Sequence, residues 1–155
     1  MRPLNSIRSA PRTAFALLAL FATTTVLADK YYDQVRSNLQ DRYDYWHNRD
    51  GGWNQVSDLR DLDVVKDGDY TTITYTLLKG NSYKIVGACD NQCSDLDLEL
   101  RDDGSNLIER DSASDDIPIV EVTPRRDGKF TLKVSMRDCS SSAGCVYGVD
   151  VYRAR

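Results

Sequence analysis

The sequence predicts a mainly β protein: an antiparallel β-sandwich of about seven short strands, preceded by one N-terminal α-helix. Three observations carry this. Apolar residues between Tyr32 and Trp46 recur at three- and four-residue steps, the helical spacing. From about residue 70 the apolar period falls to two, the spacing of a strand with one buried face. Beyond that point turn signals recur roughly every ten residues, as in a sandwich of short strands.

The first 28 residues differ from the rest. Arg2, Arg8 and Arg12 stand in a segment without acids, and the run AFALLALFATTTVL follows. Val26-Leu27-Ala28 then offers a peptidase site before Asp29. This is the pattern of a cleaved secretory signal, and about 14 apolar residues fall short of the roughly 20 that a membrane span needs. The expected organisation is a signal peptide over 1–28, a helix and connecting loop over 29–59, and the sandwich over 60–155. After cleavage, no membrane association is expected. All 24 acids but only 17 of the Lys and Arg lie beyond residue 28, so the exported chain carries a net charge of −7. An acidic chain without a basic cluster argues against nucleic acid as a partner.

The helix is expected over 29–48, with Tyr32, Val35, Leu39, Tyr43 and Trp46 on one stripe and Asp29 in its first turn. Arg49-Asp50-Gly51-Gly52 breaks the pattern. Strands are expected from alternation. Ile73, Tyr75 and Leu77 alternate with threonines, and Tyr83 to Ala88 is extended. Leu96, Leu98 and Leu100 alternate with Asp95, Asp97 and Glu99. Asp103-Gly104 turns the chain into residues 106–110, and Ile117 to Thr123 is again β-rich. Phe130, Leu132, Val134 and Met136 alternate with polar residues, and Val146 to Tyr152 closes the chain.

Cys89, Cys93, Cys139 and Cys145 make an even count in a chain marked for export, which reads as two disulfides. Three pairings are open. The expected one is local, Cys89–Cys93 and Cys139–Cys145, the second clamping the loop of a final hairpin. Loops this short each remove only about 2 kcal/mol of unfolded-chain entropy. A four-thiolate zinc site is the rival, although the five residues between Cys139 and Cys145 exceed the usual two to four.

The stretch CDNQCSDLDLELRDDG gathers carboxylates after the first cysteine pair. Calcium takes several oxygen ligands that converge from different loops. Asp90, Asp95, Asp97 and Asp116 are the candidate calcium ligands. The competing reading is a solvated outer face, since strand alternation requires polar residues there in any case. Catalytic signatures are missing from the sequence: it has no nucleophile elbow, zinc-protease motif or phosphate loop, and His47 is its one histidine. No enzymatic activity is expected.

The run SYKIVGACDNQCSDLDLELRDDGSNLIERDSASDDIPIVEVTPRRDGKFTLKVSM, ending in CVYGVDVY, resembles the bacterial pre-peptidase C-terminal domain family. The matching features are the aromatic-led strand at Tyr83, the Asp-Leu-Asp-Leu strand at 95–98 and the Asp-Gly turn at 103–104. The strand at 127–134 and the closing Tyr-Gly-Val-x-Val strand match as well. The resemblance covers roughly residues 70–155. It implies a jelly-roll-like sandwich of the kind appended to secreted proteases, some members binding calcium or matrix polymers. Two cysteine pairs depart from the general pattern. The expectation is therefore an exported, periplasmic or secreted, non-catalytic binding or accessory module. Its partner would be a protein or an extracellular polymer. The alternative is a calcium-stabilised structural or protein-interaction domain.

Overall fold

Alternation along the chain resolves into two antiparallel sheets and a covering helix in a computed structural model. The structure describes residues 16–48, 52–56 and 61–155, with backbone alone for 16–28. The basic segment carrying Arg2, Arg8 and Arg12, and the break at Arg49, Asp50 and Gly51, lie outside the described residues. Two units divide the chain, Met1–Lys30 and Tyr31–Arg155. One helix, α1 (Ala16–Asn48), runs through both ranges and so starts upstream of the Asp29 expected from the stripe. Among the described residues, no helix is long and apolar enough to cross a membrane.

Nine strands follow among the described residues: β1 (Trp53–Gln55), β2 (Asp61–Val65), β3 (Tyr70–Leu77), β4 (Tyr83–Cys89), β5 (Cys93–Asp102), β6 (Leu107–Asp111), β7 (Ile119–Val122), β8 (Gly128–Cys139) and β9 (Cys145–Ala154). The expected sandwich is present, with two strands that the alternation did not announce. These are β1 and β2, which pair in succession with β9, Gln55 opposite Tyr152 and Asp61 opposite Val149. One sheet has the order β1-β9-β4-β7, with β2 also on β9; the other is β3-β8-β5-β6.

The two sheets face each other across the main core. Leu96, Leu98 and Leu100 of β5 meet Leu132, Val134 and Met136 of β8 on the inner face, all fully buried. Ile85, Val149 and Val151 supply the opposite wall. Every residue of β9 from Cys145 to Tyr152 is buried, because its other face is covered too. There Val35, Leu39 and Trp46 of α1 pack on Val86, Ala88, Val146 and Tyr152, so the helical stripe is a packing surface. Gly148 lets the helix come this close: a Cβ there would sit 2.7 Å from Val35 Cγ1 and 2.8 Å from Leu39 Cδ1. Lys84 crosses the same layer with its ammonium between the rings of Trp46 and Trp53, at 4.9 and 4.6 Å, and 3.0 Å from Glu121.

The disulfides are Cys89–Cys93 and Cys139–Cys145, as the local pairing expects, each with a Cα separation of 6.0 Å. Their setting corrects the sequence reading. β8 and β9 lie in opposite sheets, so the loop between them is an arch across the sandwich and not a hairpin. The β4–β5 connection is an arch as well. Alternation reports which face of a strand is buried, but not which sheet the strand joins.

Candidate functional site

The two disulfide arches form one corner. Cys93 stands opposite Cys139 in the β5–β8 ladder. The Gln92 carbonyl accepts from the Ser140 amide at 2.8 Å and from its hydroxyl at 2.9 Å. Asp90, 1% exposed, ties the first arch to β9. Its Oδ2 accepts from the Val146 amide at 2.7 Å, and its Oδ1 accepts from the Gln92 amide at 2.8 Å. The helix joins the corner: Asn38 Nδ2 donates to the Cys89 carbonyl and Gln34 Oε1 accepts from the Asn91 amide.

This geometry separates the four candidate calcium ligands. Both oxygens of Asp90 are taken by backbone amides. Asp116 lies with Asp115 in the β6–β7 connection, beside Arg42 of the helix. Asp95 and Asp97 are neighbours on the outer side of β5. Burial, and then Asp95, push the Asp97 carboxyl above its ordinary value, and Arg137 at 3.4 Å partly offsets them. Asp95 Oδ1 is buried without a hydrogen bond. Asp95 also faces Asp138, whose Oδ2 accepts from Ser94 Oγ at 2.6 Å. Among the described residues, no group of three or more His, Cys, Asp or Glu side chains is placed to hold a metal ion.

His47 is in the last turn of α1. Its Nδ1 lies 3.2 Å from the Trp53 carbonyl oxygen, its ring stacks on Tyr43, and Arg155 Nη2 approaches at 3.2 Å. These contacts fasten the helix end to β1 and the C-terminus.

Sequence reasoning missed a cleft. β6 is the edge of one sheet and β7 the edge of the other. At one end the two edges are pinned together, the Ile119 amide donating to Asp111 Oδ2 at 2.8 Å. At the other end they open around a cleft of about 480 Å³. Leu107, Ile108, Val122, Pro124 and Phe130 give its apolar wall, and Asp102, Arg125 and Arg126 stand at its margin. Leu107 is 49% and Ile108 39% exposed. The nearby turn is tightly built. Asp102 Oδ1 accepts from the amides of Gly104 and Asn106, and Asn106 Nδ2 donates to both of its oxygens. These bonds, led by the Asn106 side chain, hold the Asp102 carboxyl below its usual range. Arg126 pairs with Asp103. Arg125 makes no ion pair or hydrogen bond among the described residues. The available signal was the pair Leu107-Ile108, two large apolar residues in succession where alternation calls for one.

No family model matches the chain, and no curated protein matches it. Solved structures of similar shape exist. The pre-peptidase C-terminal domain of collagenase from Bacillus anthracis is similar at 15% identity and a TM-score of 0.48, over 59% of this chain and 86% of that one. A periplasmic inhibitor of g-type lysozyme from Aeromonas hydrophila is similar at 13% identity and a TM-score of 0.44, over 67% of this chain and 87% of that one.

Proposed function

We propose that this chain is an exported, non-catalytic binding module, released at Asp29 into the periplasm or the medium, where it docks on a protein or an extracellular polymer. The observation that carries this reading is the open cleft between the β6 and β7 edges, where Leu107 and Ile108 face solvent beside Arg125. Three features support it. The two disulfides suit an oxidising compartment. The N-terminal segment has the order of a secretory signal. The single histidine is engaged in holding the helix end and does not line the β6–β7 cleft. The test is affinity capture with the exported protein as bait, coupled to mass spectrometry of its own N-terminus. A chain that starts at Asp29 and retains a stoichiometric partner supports the reading. A chain that keeps its first 28 residues, or retains nothing, defeats it.

A second reading, a calcium-stabilised structural domain, draws on the partnerless Asp95 oxygen beside Asp97. A cation there would relieve the repulsion between the two carboxylates. Thermal melts in calcium and in chelator separate the two readings.

A further inference from the structure

Resting on the binding-module reading, we infer that the seam between β6 and β7 takes an extended segment of a partner protein, one that alternates apolar with acidic side chains and adds as a strand to β6. Backbone, shape and charge each point to this occupant.

Among the described residues β6 pairs with β5 alone, so the amides and carbonyls of its other side have no strand partner there. Such an edge accepts an extended chain by main-chain hydrogen bonding. Its five residues span roughly 16 Å at about 3.3 Å each, room for a strand of similar length. The pinned Asp111–Ile119 end sets where the added strand must stop. Alternate side chains of a strand fall on one face, so every second residue would point into the cleft against Leu107, Val122 and Phe130. Those positions select apolar side chains.

Charge selects the rest. Three charged groups stand at the margin, and two of them are already satisfied. Asp102 is saturated by its own turn, and Asp103 and Arg126 pair with each other. Arg125 is left as the uncommitted charge at the margin. A carboxylate on the incoming strand would complete it with a charge-assisted hydrogen bond, whereas a lysine there would meet a like charge.

The test is an amide-shift titration of the exported protein with the peptide acetyl-Val-Glu-Val-Glu-Val-Glu-amide. Two controls accompany it, one with lysine for glutamate and one with alternate backbone nitrogens methylated. The expected result is saturable shifts over Leu107–Asp111 and at Arg125. The lysine peptide and the variant Arg125→Glu should each weaken binding at least tenfold, and methylation should abolish it. Arg125 is exposed in a turn, so the variant tests charge without touching the core. Equal affinity for the lysine peptide overturns the inference. So do shifts that map elsewhere, no saturation at millimolar peptide, or a concentration-dependent dimer that Ile108→Lys dissolves. The last result would assign the seam to a second copy of this chain. If Ile108→Lys still captures the same partner as the wild type, the seam is wrong and the binding module stands. If the wild type itself captures nothing, both fall.

Discussion

Asp90 and Val146 hold each other by two hydrogen bonds: the Asp90 amide donates to the Val146 carbonyl at 3.0 Å, and the Val146 amide donates to Asp90 Oδ2 at 2.7 Å. A side chain in one arch thus stands in for a strand partner at the start of β9. The Asp90→Ala variant would leave the amides of Val146 and Gln92 without their acceptors inside the protein. Hydrogen bonds to charged groups contribute about 1.5–3 kcal/mol each, and a buried orphan amide costs a similar amount. Asp90→Ala should therefore lose about 3 kcal/mol in urea unfolding, and Asp90→Asn, which keeps one acceptor, about half of that.

The helix interface is tested at Gly148. An added methyl would meet Val35, Leu39 and Leu62 all within 2.9 Å, and all three side chains must give way together. Overpacking of this kind costs about 1–3 kcal/mol. Gly148→Ala should lower stability by that amount and loosen amide protection in α1 while leaving β5 and β8 protected. Uniform loss of protection would mean that the helix and sandwich unfold as one.

Tyr75 is buried, and its hydroxyl has no hydrogen-bond partner among the described residues. Burial first, and then nearby Asp61, push its ionisation well above the ordinary value of 10.0; Tyr147 is shifted the same way for the same causes. A group whose folded pKa is raised supports the native state below its unfolded pKa and loses that support as pH rises. Stability should therefore fall above about pH 10, where unfolded tyrosines ionise. Tyr75→Phe should flatten that fall and gain about 1 kcal/mol at neutral pH, because it removes an unsatisfied hydroxyl.

Calcium is expected to leave the melting curve unchanged. With Asp90 taken by amides, Asp95 and Asp97 are a carboxylate pair, and no group of three or more acids among the described residues is placed to hold a metal ion. Asp97 lies on the outer side of β5, repelled by Asp95 and partly balanced by Arg137, so Asp97→Asn should shift stability by no more than about 0.5 kcal/mol. A rise of several degrees in calcium, abolished by Asp97→Asn, would establish the metal reading instead.

Strand β5 was legible because its neighbours gave it a buried and an open face: the three leucines are fully buried and the acids between them are not. The helix stripe was legible for the same reason, in Val35, Leu39 and Trp46. β2 escaped because Asp61 and Asp63 interrupt a five-residue run whose pairing is supplied by β9, more than eighty positions away. The arches escaped because a strand carries no mark of its sheet. The cleft escaped most fully. Its walls come from β6, the segment after β7, and Phe130 of β8, brought together by topology alone. Of the acids in CDNQCSDLDLELRDDG, Asp90 alone is a buried bracket, and only its position against Val146 sets it apart from the others.

The proposed binding module would be exported and would meet its partner at the β6–β7 seam. In-cell photocrosslinking tests it most directly, with Ile108→benzoylphenylalanine at the seam and Tyr45→benzoylphenylalanine on the exposed side of the helix as control. A discrete adduct is expected in the exported fraction from position 108 and none from position 45. An adduct from position 45 alone, or from neither position, would contradict it.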